Sequence, residues 1–319
     1  MTSRRPVGAL PAPGSEPVAS QPVIAATRSS RTIMTRVAAY IRLTKPRVIE
    51  LLLVTAVPPM LLAERGFPSI GLLLAVVVGG ALAAGGANTI NCWIERDRDQ
   101  LMRRTEGRPL PRGEVVPSHA LVFGIALNVV AFAVLATVAN VLAASLTIGA
   151  TIFYVFVYTI WLKPRTVQNI VIGGAAGAVP ALVGWAAVTG DIGAPAVVLF
   201  AVVFLWTPAH FWALALKYRD DYAAAGIPML PVVRGVAATT RQIAGYATVT
   251  VATSLALGAT TDVGVVYVGV AMIAGALFVA ASLRLVADAT PRRAIAFFGY
   301  SNVYLSLLFA AVAVDALIT

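Results

Sequence analysis

Four stretches of this chain, Ile70 to Asn88, Ala120 to Val138, Leu142 to Leu162 and Val263 to Leu283, run with scarcely a charged residue. Each reaches the ~20 apolar residues that a helix needs to cross ~30 Å of hydrocarbon. Barrel strands would instead alternate apolar and polar residues in segments of about ten. The chain is therefore all-α, a polytopic membrane bundle. Its composition agrees: 59% of residues are apolar and 12% charged, against about 45–50% and 25% in soluble domains. Nine spans are expected, at roughly 46–63, 69–90, 119–138, 141–162, 168–188, 194–215, 242–261, 263–283 and 295–316. Pro58, Pro180 and Pro208 fall inside spans, where each removes a backbone hydrogen bond and kinks its helix around a central cavity.

The basic residues fall in alternate connections. Arg28, Arg31, Arg36, Arg42, Lys45 and Arg47 precede or open the first span, and further clusters follow spans two, four, six and eight. In the opposite loops Arg65 is the only Lys or Arg. The positive-inside rule then puts the N-terminus in the cytoplasm and the C-terminus outside, in a cell membrane or, alternatively, the mitochondrial inner membrane. The same distribution explains the net charge of +10 without nucleic acid as a partner. Residues 1–35 are rich in Pro, Ser, Ala and Arg and lack a continuous apolar segment, which predicts a disordered cytoplasmic tail ahead of a transmembrane domain over 36–319. A transit peptide is the second reading of that tail. Cys92, the single cysteine, excludes an internal disulfide.

Two polar clusters interrupt the apolar chain. In the first, NTINCWIERDRDQLMRRTEGRPLPRG, residues Asn91, Glu95 and Asp99 are spaced i, i+4, i+8 and so form one stripe on a helix continuing from span two. Their oxygens are the hard ligands that Mg²⁺ prefers. Arg103, Arg104 and Arg108 follow in a loop broken by Gly107, Pro109 and Pro111, where guanidinium forks can clasp phosphate. In the second, HFWALALKYRDDYAAAGIPMLP, His210, Lys217 and Asp221 share a helical stripe, with His210 ~10 Å deeper than Lys217. Asp220 lies one position off it. The alternative for both clusters is a solvated loop that only sets topology. An ionised carboxylate inside the membrane costs about 2.5–3.5 kcal/mol even on the lenient insertion scale, and acids contribute little to orientation, so chemistry is favoured. Gly173 and Gly177, four apart in an apolar run, are read as a close helix-packing pair. Tyr154, Tyr158 and Trp161, at i, i+4 and i+7, share a face of span four; Trp161 is assigned to the interfacial belt, and the tyrosines are left between that belt and a wall of π faces for a cation.

These motifs resemble those of the UbiA-type intramembrane prenyltransferases, and within them the haem-modifying branch. The matching stretches are LTKPRVIELLLVTAVPPMLLA, the first cluster, YTIWLKPRTVQNIVIGGAAGAVPALVGWAAVTGD and TPAHFWALALKYRDDYAAAGIPMLPVV, together covering about residues 43–233. The superfamily's first acidic motif falls on Asn91, Cys92, Glu95 and Asp99, with Cys92 in place of an aspartate and Glu95 of another. Its second falls on Lys217 and Asp221, with Lys217 in place of the first acid and Asp220 a candidate substitute. The resemblance implies a UbiA-like bundle and transfer of a farnesyl group from farnesyl diphosphate to a vinyl group of haem B, with Mg²⁺ as cofactor. It implies metal ligation by Asn91, Glu95, Asp99 and Asp221, and diphosphate binding by Arg103, Arg104, Arg108, Lys217 and Arg219. Candidate haem contacts are His210, Lys163 and Arg165, with hydrogen-bonded packing the equal alternative for His210. A haem A synthase is a candidate downstream partner. Two other readings stand beside this one: prenylation of an aromatic quinone precursor, and organic-anion transport. A transporter would gather its ionisable residues near the bilayer midplane, whereas here they collect at helix ends.

Overall fold

A computed structural model describes residues 33–318. It contains α1 (Ile33–Thr44), α2 (Pro46–Glu64), α3 (Ile70–Asp99), α4 (Pro117–Val138), α5 (Val141–Ile152) running directly into a π-helix (Phe153–Leu162), α6 (Asn169–Thr189), α7 (Ala194–Lys217), the short α8 (Arg219–Ala224) and α9 (Leu230–Val233), α10 (Gly235–Leu255), α11 (Val265–Ala287) and α12 (Pro291–Ile318). No strand occurs among the described residues. Of the expected tail, only residues 33–35 are described, and they open α1.

Local chemistry sets the boundaries. Prolines stand in the first turns of α2, α4 and α7, where the missing N–H would have no helical partner. Ser69 accepts the amide of Leu72 at 3.3 Å to start α3. Asn140 accepts the amide of Ala143 at 2.8 Å to start α5 and donates to the Ala186 carbonyl at 2.7 Å, tying α5 to the end of α6. Helix α3 is 30 residues long, or about 45 Å at 1.5 Å per residue. That exceeds the ~30 Å hydrocarbon layer, so its last turns carry Asn91, Glu95 and Asp99 toward the edge of the apolar zone. The connection after it shrinks accordingly, to residues 100–116.

Among the described residues, eight helices are long and apolar enough to cross a membrane. The remaining expected span, the seventh at 242–261, requires correction. The helix there is α10, which starts at Gly235 and ends at Leu255. Its threonines, Arg241 and Gln242 lower its apolarity, yet it packs along both α7 and α11. Its own polar side chains turn inward: Thr239, Thr240, Thr250 and Ser254 are buried, and Thr250 returns its hydroxyl to the Tyr246 carbonyl at 2.7 Å.

The larger core runs through α7, α10, α11 and α12 and includes Trp206, Trp212, Phe278 and Tyr304. A second joins α2, α3, α4, α5 and α6 around Met60, Val76 and Leu135. Gly184 of α6 permits the closest approach, because a Cβ there would run into the backbone carbonyl of Ala56 in α2. No side chain can move aside to relieve that contact. On the face opposite the charged loops, Arg65 reaches Thr261 Oγ1 at 2.8 Å, and Asp315 at the end of α12 accepts the Tyr267 amide at 2.9 Å near the start of α11.

Gly184→Ala is expected to push α2 and α6 apart and to cost about 1–3 kcal/mol, read as a lower thermal unfolding midpoint in detergent. An unchanged midpoint would refute backbone contact as the determinant of this packing.

Candidate active site

A cavity of about 360 Å³ opens among α2, α3, α5, the π-helix, α6 and α7, in the size range of small-molecule sites. Its wall changes character along α3. At one end stand Lys45, Asn91, Glu95, Arg104, Arg108 and Lys163. Deeper in, the lining is small and apolar: Val76, Gly80 and Ala84 from α3, Ala150 from α5, Gly177 and Val183 from α6. The fifteen residues from Asn91 to Val76 span about 22 Å at 1.5 Å each, so the cavity is a deep greasy channel under a charged rim.

The rim is built on a ladder of three pairs along α3. Lys45 Nζ donates to Asn91 Oδ1 at 2.8 Å. Lys163 Nζ is paired with Glu95, and Arg108 Nη1 with Asp99 Oδ2 at 2.6 Å. Asn91, Glu95 and Asp99 are all buried, so the stripe read from the spacing points inward and each acceptor has its own cation. Charged lining residues number four cations, Lys45, Arg104, Arg108 and Lys163, against the single carboxylate of Glu95. Such a rim suits a polyanion better than a bare cation. Asp99 retains one buried carboxylate oxygen, Oδ1, with no hydrogen-bond partner.

Each cation arrives by a different route. Lys45 occupies the corner between α1 and α2 with φ 54° and ψ 66°, a left-handed conformation that is costly for a non-glycine residue and further disfavoured ahead of proline. The corner is held by Asn88, which donates to the Thr44 carbonyl at 3.0 Å, and by Gly85, which leaves room for the Thr44 side chain. Burial pushes the Lys45 ammonium below the ordinary lysine range. Arg108 comes back over the end of α3 because the loop is pinned by Thr105, whose hydroxyl donates to the Asp99 carbonyl at 2.9 Å, and by buried Met102 and Leu110.

Lys163 depends on the π-helix. Tyr154 and Lys163 are nine residues apart, two and a half turns of a 3.6-residue α-helix, which would set them on opposite faces. In the wider π-helix, which bonds i→i+5, nine residues complete about two turns, so Tyr154, Tyr158 and Lys163 all line the cavity. The Lys163 amide bonds the Tyr158 carbonyl at 2.8 Å and Thr159 Oγ1 the Tyr154 carbonyl at 2.9 Å. Thr159 Oγ1 also accepts Asn91 Nδ2 at 3.2 Å, linking the π-helix to the ladder. The two tyrosine rings stack with centroids 5.4 Å apart, and Tyr158 lies against Gly173, where a Cβ would strike its ring. Gly177 differs from its expected packing role: nothing stands within 4 Å of its Cβ position, and it lines the channel. Trp161 is exposed on the lipid-facing side.

The second polar cluster meets the first through Arg104. Its Nη2 donates to Tyr222 Oη at 3.2 Å, and its guanidinium lies 5.6 and 5.8 Å from the Tyr218 and Tyr222 rings. The charged residues expected there sit farther out. Lys217, Arg219 and Asp220 are exposed and Asp221 is half-buried; none of the four lines the cavity. Asp220 neighbours Arg219 at 3.5 Å with its side chain in solvent. Arg103 is likewise exposed and outside the lining. Arg165 donates to the carbonyls of Ile160 at 3.0 Å and Trp161 at 3.2 Å, closing the π-helix. His210 is stacked between Trp206 and Phe298 at 4.1 and 4.3 Å, with Nδ1 2.6 Å from Ser301 Oγ, and does not line the cavity. Lys45 and Tyr222 were not legible as site residues: one looks like a topology-setting base and the other like a loop aromatic.

No cluster of three or more His, Cys, Asp or Glu side chains is assembled among the described residues. Mg²⁺ does not require one, since it takes one or two carboxylates and completes its shell with water and substrate phosphate. Asn91 and Glu95 offer hard oxygens in the cavity wall, and Asp99, one turn farther along α3 and outside that lining, keeps Oδ1 buried and unpaired; one or two carboxylates fit that demand.

Residues 51–309 match the UbiA prenyltransferase family. The chain is 52% identical over 313 residues to a protoheme IX farnesyltransferase of Parafrankia sp., covering 97% of this chain and all of that one. It is 56% identical to protoheme IX farnesyltransferase 1 of Saccharopolyspora erythraea over 284 residues, 88% of this chain and 90% of the other. Among solved structures, one from work on digeranylgeranylglyceryl phosphate synthase superposes with a TM-score of 0.74 at 18% identity, over 89% and 99% of the two chains. A UbiA homolog from Archaeoglobus fulgidus bound to DMAPP and Mg2+ gives 0.60 at 18% identity, over 86% and 99%.

Lys163→Met is expected to strand the Glu95 carboxylate and destabilise the protein by about 3–5 kcal/mol. Lys163→Met combined with Glu95→Gln should recover most of that loss in thermal unfolding. Equal melting of the single and double variants would mean the pair is not coupled.

Proposed function

Since this chain belongs to the UbiA prenyltransferase family, we propose that it transfers the farnesyl group of farnesyl diphosphate to a vinyl group of haem B, giving haem O, at the cytoplasmic face of the membrane. One observation carries the reading: a cationic rim sits directly above a deep channel of small apolar residues, matching a diphosphate head on an isoprenoid tail. Relatives that share over half of this sequence bear the name protoheme IX farnesyltransferase, which supports farnesyl as donor and haem as acceptor.

Lys45, Arg104, Arg108 and Lys163 bind and orient the diphosphate. Their hydrogen bonds strengthen as charge accumulates on the departing group. Asn91, Glu95 and Asp99 would hold Mg²⁺ beside it, and Asp221, Asp220, Lys217, Arg219 and Arg103, which stand outside the cavity lining, act as outer groups guiding the anion inward. Bound there, Mg²⁺ supplies Lewis-acid neutralisation of the leaving diphosphate. The allylic C–O bond breaks and its electron pair leaves with the diphosphate. Stacked Tyr154 and Tyr158 present π faces to the allylic cation, and the dry wall of Ala84, Ala150 and Gly177 excludes water from it. The haem vinyl supplies the electron pair for the new C–C bond, and water adds to the resulting cation and loses a proton to give the hydroxyl. Lys163 thus serves the diphosphate, while Arg165, bonded to the π-helix carbonyls, and His210, packed between Trp206 and Phe298, stand outside the cavity lining.

Purified protein incubated with haem B, farnesyl diphosphate and Mg²⁺ should yield hydroxyethylfarnesyl haem by mass spectrometry, and EDTA should abolish the product. Prenylation of a quinone precursor in place of haem would overturn the acceptor assignment. Asp99→Asn, which keeps an acceptor for Arg108, should lose turnover by at least about a hundredfold while remaining folded. Because burial lowers the Lys45 pKa, the ammonium loses its charge, and with it its hold on diphosphate, as pH rises through that lowered value. KM for farnesyl diphosphate should therefore climb at alkaline pH in the wild type and stay flat over the same range in Lys45→Arg, whose guanidinium remains protonated.

A further inference from the structure

Helix α1 is apolar on two opposite faces. At 100° per residue, Ala39 and Leu43 fall on one side, buried against Cys92, Leu110, Val115 and Ala120. On the other, Met34, Val37 and Ile41 are 82%, 51% and 53% exposed. A soluble surface helix would put polar residues there. Its surroundings fix its orientation. Arg42, on one flank, pairs with Glu114 of the polar α3–α4 loop. Tyr40, on the opposite flank, meets the Phe123 ring edge-on at 5.0 Å, and Phe123 lies six residues, about 9 Å, inside α4. One flank thus looks out of the membrane and the other toward its interior, and the unpartnered stripe faces sideways. On α4, Val122 and Val129 are likewise 66% and 62% exposed. Arg36 and Arg47 are exposed at either end of this segment.

We infer that α1 lies in the plane of the membrane interface and binds the surrounding leaflet, with Met34, Val37 and Ile41 seated at the acyl boundary and Arg47, just past the corner, on anionic lipid headgroups. An apolar face with a basic residue beside it is what such a helix requires. The lipid-anchored helix ends at the Lys45 corner, so the leaflet holds in place the segment that delivers Lys45 to Asn91. Neither a soluble protein partner nor a second copy is needed to cover the stripe.

The test uses the full chain reconstituted in vesicles, with Val37→Cys labelled by an environment-sensitive dye; Cys92 is buried and stays unlabelled. Brominated lipid should quench the dye several-fold more strongly than aqueous iodide. Vesicles containing phosphatidylglycerol should shift its emission further to the blue than phosphatidylcholine alone, and Arg47→Gln should remove that difference. Quenching by iodide but not by brominated lipid would overturn the proposal in favour of a solvent-facing docking surface. Energy transfer between donor- and acceptor-labelled copies at high lipid dilution would overturn it in favour of a dimer contact. Equal emission in the two lipid mixtures would remove the anionic-headgroup part. These readouts do not depend on turnover, so they stand or fall separately from the proposed reaction.

Discussion

Charge brought to the membrane has to be paired, and the architecture of this protein follows from how it pairs three inward-facing side chains of α3. An unpaired carboxylate at this depth is costly. Asn91, Glu95 and Asp99 therefore draw in Lys45, Lys163 and Arg108, which come from the corner before α2, the end of the π-helix and the loop after α3. Three separate chain segments are thereby fastened to one helix. The same fastening leaves the rim rich in cations, because Arg104 joins it without an acid of its own and is held by Tyr222. Stability and anion recognition rest on the same contacts.

Two backbone irregularities make the ladder possible. Lys45 takes a left-handed conformation immediately before a proline, and ten residues of the fourth crossing widen into a π-helix. Both are disfavoured in isolation, and both occur where a cation must reach an acceptor on α3. Strain maintained by the surrounding packing is characteristic of sites in which orientation matters more than local stability. The channel below is formed by the opposite means, the absence of side chains: Gly80, Ala84 and Gly177 leave space that larger residues would fill.

Much of the site was legible from helical periodicity alone. Spacing four and eight is enough to align Asn91, Glu95 and Asp99, because a single regular helix carries all three. The same reasoning fails for span four, where Tyr154 and Lys163 share a face only after the helix widens. It also gives no partner for the second cluster. Lys217 and Asp221 fall on one stripe, but α7 ends at Lys217, so Asp221 belongs to a separate short helix and the stripe does not continue through it. The two clusters are joined by the Arg104 hydrogen bond to an aromatic hydroxyl, which no charge pattern announces.

By itself the sequence determined that this is a helical membrane protein with two polar clusters at one face, since the hydrocarbon layer demands long apolar helices and punishes charge placed within them. It also determined which side of α3 bears the acceptors. Tertiary structure decided which cations meet those acceptors, that Gly177 borders a channel instead of a helix contact, and that His210 is held between Trp206 and Phe298. Those outcomes depend on distances between segments far apart in the chain, and on local departures from the regular helix, neither of which periodicity along one segment contains.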